Sequence, residues 1–451
     1  MRLKRKKENL RKYMSQLDLS LVGEWNVINR NIPFQNAITQ NDLSRLCKNW
    51  KTYSKNDFLF NHVIDKEPKV TNQKSSGRCW MFAGLNVLRI NFIKKFKLCK
   101  NFEFSQTHLF FYDKLERANT FLQKIIETKS KPINDRYVQQ ILESPLSDGG
   151  YWHTFANLVD KYGLVPKSVY PETYHSGHTA KMNFVLGFQL RQFAEQLRMS
   201  EEEDMQKLKR DFLMEYHRLL TLFLGTPVSN FEWKYLDKDD KYHKISLTPR
   251  EFYKMGEMDV NDFVTLTNDP RNAYGKKMSM DYVGNMEGTS NVVYYNTEMD
   301  NLVKWTREAV LKGVPVWHGC DVKKWFDGEK DVMDLDLVDY GILGVDFKLG
   351  KRKRMEYGIS CPTHAMTFVG FESEDVGEKI GEIKKWKVEN SWDSKGENDG
   401  YYMMTHDWFK QYVYEVVIPR WVMDEETKRR IDECRDVIEL PVWDVMFKEK
   451  N

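Results

Sequence analysis

A segment that is apolar on nearly every side is satisfied only by burial, and this chain carries one directly behind a cysteine. It runs Cys79-Trp80-Met81-Phe82-Ala83-Gly84-Leu85-Asn86-Val87-Leu88-Arg89-Ile90-Asn91-Phe92, with positions 80, 83, 84, 87 and 88 at helical spacing. A loop rich in Ser and Gly, Gln73-Lys74-Ser75-Ser76-Gly77-Arg78, leads into it. The spacing predicts a buried helix with Cys79 at its N-terminus. Unpaired N–H groups and the positive end of the helix dipole sit there, so a thiolate is favoured and the thiol pKa is expected to fall. The plainer reading is that Cys79 is one more small buried residue. Partners elsewhere in the chain decide between the two.

At 451 residues the chain exceeds what one core supports, so two or three packed units are expected. Its 41% hydrophobic and 14% aromatic content excludes a disordered protein. The net charge of +3 is unevenly placed: the first twelve residues carry seven basic side chains and one acidic, which leaves −3 for the rest. That run reads as a solvated terminus, with nucleic acid or anionic lipid as the alternative contact. No apolar stretch follows it, so it does not read as a secretory signal. Nowhere do 18 consecutive apolar residues occur, so no membrane span is expected. The six cysteines, at 47, 79, 99, 320, 361 and 434, show neither CxxC nor zinc spacing. They point to a reducing, cytoplasmic compartment with free thiols.

Along the chain, residues 13 to 62 read as a wrapping arm. A helix start at Ser105 leads into an amphipathic helix over 107–127, in which His108 reads as structural. Gly149-Gly150 predicts a turn or a close backbone approach. A helix over 152–162 ends at Gly163, with Pro166 beyond it. Residues 181–225 read as two antiparallel helices joined by the acidic turn Ser200 to Asp204. Thr248-Pro249-Arg250-Glu251 is a capping box with Pro at the first helical position. The last third is strand-like around 314–321, 363–370, 385–392 and 400–404. Helices first and strands last make an α+β chain.

A thiol nucleophile needs a base to hold its proton and an orienting group to fix that base. His364 opens an apolar strand and Asn390 closes another. Alone, a strand-end His is usually a satisfied or surface residue, and Asn commonly marks a turn. With Cys79, the order Cys, His, Asn places the nucleophile in the helical half and its partners in the strand-rich half.

Gln73 with Gly77-Arg78-Cys79-Trp80 resembles the nucleophile loop of papain-like cysteine proteases, and Asn390-Ser391-Trp392 followed by Asn398-Asp399-Gly400-Tyr401 resembles their Asn loop. In papain the His and Asn follow the Cys by about 130–150 residues; here they follow by 285 and 311, so a segment of domain size is inserted. Asp148-Gly149-Gly150, Lys161-Tyr162-Gly163, Val165-Pro166-Lys167, Asn268-Asp269-Pro270-Arg271, Gly319-Cys320-Asp321-Val322, Thr363-His364-Ala365-Met366-Thr367, Tyr412-Val413-Tyr414-Glu415-Val416-Val417 and Leu440-Pro441 resemble one branch over most of the length: the bleomycin hydrolase, or aminopeptidase C, family of papain-like cysteine peptidases.

That resemblance implies an α+β fold with a papain-like two-lobed core, a large helical insertion and N- and C-terminal arms. The expected divisions are a basic tail and wrapping arm (1–62), a helical lobe carrying Cys79 (63–180), a mainly helical insertion serving as assembly surface (181–310), a β-rich lobe carrying His364 and Asn390 (311–430), and a C-terminal arm directed to the cleft (431–451). It implies a cysteine aminopeptidase acting through a thiolate acyl-enzyme, hydrolysing peptides and bleomycin-like amides, with no metal or organic cofactor. Cys79 would attack, His364 would carry the proton, Asn390 would orient the ring, and Gln73 with the Cys79 N–H would form the oxyanion hole. Gly149 and Gly150 would offer backbone to an extended peptide. Trp392 would shield the Asn390–His364 bond, and the carboxylate of Asn451 would receive the substrate's amine. The family also implies a homohexameric ring with internal active sites.

Two features depart from the family. Asp393 stands where a Gly usually follows the Trp, and a side chain there could narrow the cleft or add negative charge near His364. The chain ends Phe447-Lys448-Glu449-Lys450-Asn451, where small aliphatic residues are usual. The rival reading is a nucleic-acid-binding or scaffolding hexameric ring that uses the basic N-terminus, since some relatives bind DNA.

Overall fold

The structure, a computed structural model, describes residues 32–65, 67–280, 283–289, 291–347, 349–393 and 398–447. Two compact units emerge, one of 1–54 with 336–347 and one of 55–335 with 348–451. In the described part of the small unit, helix Ile32–Gln40 precedes two short helical turns capped by Asp42 and Asn49. Backbone bonds from Asn49 N–H to Leu337 O and from Asp339 N–H to Cys47 O close it. None of the proposed site residues lies there.

In the large unit, α1 (Cys79–Lys95) is the buried helix that the sequence predicts, with every residue from Trp80 to Ile90 buried. Around it stand α2 (Gln106–Glu127), capped by the Ser105 hydroxyl, and α3 (Trp152–Tyr162), which ends in Gly163 at φ +66°. Beyond these lie α4 (Ala180–Met199) and α5 (Met205–Leu224), joined through the acidic turn Glu202–Asp204 and both packed on α2. The Thr248 capping box forms as expected, its hydroxyl and Glu251 exchanging bonds with each other's backbone. His108 is buried against the Tyr162 carbonyl, and burial holds it neutral with a pKa of about 4.

The 181–310 stretch, read as mainly helical, also contains strands. These are the hairpin β1 (Phe231–Leu236) and β2 (Tyr242–Leu247), then β3 (Phe263–Thr267), β4 (Lys276–Met280) and β5 (Val293–Asn296). With β6 (Val316–Cys320), β7 (His364–Ser373), β8 (Ile383–Glu389), β9 (Tyr401–Thr405), β10 (Val413–Pro419) and β11 (Val437–Leu440), β3 to β5 build one long sheet. Its order is β11-β4-β5-β3-β10-β6-β7-β8-β9, continued by the two-residue strands Val332–Met333 and Phe326–Asp327. From β3 through β9 every neighbour pair is antiparallel. The strands β6, β7 and β10 are buried along nearly their whole length, so they read as apolar runs rather than as alternation.

None of the six cysteines is in a disulfide. Among the described residues no helix is long and apolar enough to cross a membrane.

Candidate active site

His364 is the first residue of β7, and Asn390 directly follows β8, its antiparallel neighbour, so both emerge at the same end of the sheet. The ring Nε2 and the Asn390 Oδ1 lie 2.7 Å apart, and the Ser391 N–H donates to the same oxygen at 2.8 Å. A carbonyl oxygen only accepts, so Nε2 carries the proton and Nδ1 keeps its lone pair. Trp392 lies against the imidazole with ring centres 4.6 Å apart. Burial pulls the His364 pKa down to about 4, with the Asn390 bond opposing.

Cys79 opens α1 and lines, with Gln73 and His364, one cavity of about 460 Å³. The expected fall of the thiol pKa is not what the site produces. Burial pushes the Cys79 thiol up, against the backbone N–H groups of Ala365, Trp80 and Cys79 itself, which pull it down. Burial therefore favours the neutral partners on both sides, and charge separation must come from the pair acting together.

Gln73 is held from both sides. Its Oε1 accepts from the Ser391 hydroxyl at 2.6 Å, its backbone N–H donates to Ser391 O at 2.8 Å, and its Nε2 donates to Ser76 O at 2.5 Å. An amide nitrogen has two hydrogens, so one N–H remains for the cavity.

Gly149 and Gly150 line the same cavity. Gly150 lies flat on Trp80, where a Cβ would stand 2.6 Å from the indole, so only glycine fits. The residue before them is the organiser that sequence reasoning passed over. Asp148 accepts from Lys114 Nζ at 2.6 Å, Thr179 Oγ1 at 2.5 Å, Asn183 Nδ2 at 2.8 Å and Gly77 N–H at 3.3 Å, and its carbonyl accepts from Trp80 Nε1 at 2.7 Å. Lys114 and these donors hold its carboxyl well below the ordinary carboxylate range despite burial. One side chain thus ties the loop before Cys79 to the glycine pair. Arg78, fully buried, anchors that loop in a two-pronged pair with Glu172 at 3.0 and 2.7 Å.

Asp393 takes φ +81°, a left-handed conformation that favours glycine. It is not among the residues lining the cavity. The side chain that stands where a Gly is usual therefore sits on strained loop backbone. Met446 and Phe447 line the cavity, whereas Asn451 lies outside the described residues. Glu415 lines it too, on β10. A charged residue inside the apolar run Val413–Pro419 is the sequence signal that could have found it.

A thiol, an imidazole in the accepting tautomer and a spare amide donor in one cavity suit acyl transfer through sulfur. The comparisons agree. Mouse bleomycin hydrolase is 39% identical over 428 residues, covering 91% of this chain and 93% of that protein. Aminopeptidase G of Lactobacillus delbrueckii subsp. lactis is 39% identical over 382 residues, covering 83% and 86%. The crystal structure of PepW from Lactobacillus rhamnosis superposes with a TM-score of 0.91 at 32% identity, covering 96% of this chain and 99% of that one. A profile of the Peptidase C1-like family matches residues 17–447, and the chain belongs to that family: it is a cysteine peptidase of papain-like fold.

Proposed function

We propose that this protein is a cysteine aminopeptidase that removes N-terminal residues from peptides, with bleomycin-like amides as further substrates. The observation that carries the site assignment is the His364 Nε2–H bond to Asn390 Oδ1, which leaves Nδ1 as the acceptor in the cavity that Cys79 lines. The Cys79 sulfur attacks the scissile carbonyl as its proton passes to Nδ1, and the imidazolium that forms is stabilised by the Asn390 carbonyl dipole. The free Gln73 N–H and the Cys79 N–H hold the developing oxyanion, each worth about 3 kcal/mol in comparable sites. The imidazolium returns the proton to the leaving amine. Water, deprotonated by the same nitrogen, then releases the acyl group and regenerates the thiol. Gly149 and Gly150 pair with the peptide backbone, Trp392 keeps water from the Asn390–His364 bond, and the terminal carboxylate of Asn451 receives the substrate's amine.

The test is release of N-terminal residues from short peptides by the wild-type and Cys79→Ala proteins. Activity is expected to vanish in the variant and to survive a chelator; persistence in Cys79→Ala would overturn the reading.

The apolar side chains exposed on α4 and α5, among them Phe184, Phe188 and Leu222, support self-association, which we assign as a homohexamer. Sedimentation velocity decides it. Six cysteines with no disulfide among them support a cytoplasmic location, checked by fractionation. Nucleic-acid binding through residues 1–12 falls outside the described residues. Salt-dependent DNA binding with and without that segment measures it.

A further inference from the structure

Glu415 sits near the start of β10, opposite Gly319 of β6, and its side chain is turned into the cavity that holds Cys79 and His364. It is 97% buried, from an exposure of 3%. Its Oε2 has no hydrogen-bond partner. Tyr294 on β5 is the polar group nearest in effect: its hydroxyl moderates the carboxyl's titration yet makes no hydrogen bond of ordinary geometry and is itself buried without a partner. Burial raises the Glu415 pKa to about 7. Among the described residues that line the cavity there is no Lys or Arg. The other carboxylate there, Asp148, already has Lys114.

Space for this carboxyl is built in, since a Cβ on Gly319 would stand 2.4 Å from Oε1. A buried acid with no counter-charge is costly in the free protein, and such groups cluster where a ligand supplies the missing charge. Apart from the imidazolium that His364 becomes during catalysis, the opposite sign must then come from whatever enters the cleft.

We propose that Glu415 is a cation-recognition group of the cleft, its carboxylate receiving the positive charge of a Lys or Arg side chain of the bound peptide. This rests on the peptidase reading and adds to it a determinant of specificity. A primary ammonium offers three donors and a guanidinium five, enough to satisfy Oε2 and to draw the Tyr294 hydroxyl into the same network. Binding of the cation also turns the buried acid from a liability into half of an ion pair, so selectivity is gained only when the charged ligand is present.

The experiment compares wild-type and Glu415→Gln proteins on peptide amides of one length. Lys is exchanged for norleucine at each of the first two positions, and the amine is free or acetylated. The wild type is expected to favour the charged member of at least one pair by about tenfold or more in kcat/KM. In Glu415→Gln that ratio is expected to fall towards one. A charged-to-neutral ratio for the Lys and norleucine pairs that falls in Glu415→Gln supports the proposal; a change confined to the acetylated pair would overturn it, the α-ammonium then being the ligand of Glu415 in place of Asn451.

The same peptides are titrated by calorimetry into Cys79→Ala protein with and without Glu415→Gln. This arm reads cation preference without hydrolysis, so failure of the peptidase reading is separated from failure of the inference. Thermal melting of each variant confirms folding. A charged-to-neutral ratio that is unchanged by Glu415→Gln in both hydrolysis and binding, or a wild type with no cation preference at any position, would overturn the proposal.

Discussion

Two carboxylates face one cavity and are treated in opposite ways. Asp148 is saturated by an ammonium, a hydroxyl, a side-chain amide and a backbone N–H, whereas Glu415 has an unpartnered oxygen and only a tyrosine nearby. The first is spent on holding the protein together. The second costs the protein stability and is free to act on something else. The difference teaches that burial of a charge does not define its purpose; the state of its hydrogen-bonding inventory does.

The same chemical change, acid to amide, should therefore have opposite signs at the two positions. Asp148→Asn strands the buried Lys114 ammonium and is expected to destabilise the fold by about 3–5 kcal/mol in chemical denaturation at pH 7. Because the Asp148 pKa is depressed in the folded state, its stabilisation is present above the unfolded carboxylate pKa of about 3.9 and is lost as pH falls below it. The gap between variant and wild type should therefore close in acid. A gap that stays constant from pH 7 to pH 3 would mean that Asp148 is not acting through its charge.

Glu415→Gln is expected to stabilise the free protein by about 1–3 kcal/mol at pH 8, by removing an uncompensated acid. Here the folded pKa is raised, to about 7. Stability from this group is full below the unfolded Glu value of about 4.3 and falls as pH rises towards 7. The advantage of the variant should accordingly grow across that window and then level off. A destabilised Glu415→Gln would erase the contrast between the two acids. The smallest effect is expected from Tyr294→Phe, within about 1 kcal/mol of wild type. Losing the hydroxyl that moderates Glu415 should move the midpoint of that pH-dependent stability change upward.

Much of the frame was legible before the structure. A largely apolar helix behind Cys79, the helix ended by Gly163, the helix pair around the Glu202–Asp204 turn and the Thr248 capping box each rest on local signals, and local signals survive in sequence. His364 and Asn390 could be picked out because both stand at strand ends. The hairpin β1–β2 carried alternation in Phe231-Glu232-Trp233-Lys234, but it sits between strongly helical segments.

What could not be seen is how distant residues converge. Asp148 draws its donors from Gly77, Lys114, Thr179 and Asn183, and no spacing in the chain announces that they meet. The thiol pKa was misjudged for the same reason. The helix N-terminus is local and readable, while the burial that opposes it comes from the whole fold.

The bonds between Gln73 and Ser391 have a mechanical consequence. Together with the backbone bridge between Asn72 and Trp392, they stitch the strand of chain entering α1 to the strand of chain leaving β8, just beside the thiol. A seam closed there resists gaping, so the two chain segments beside the thiol move as one.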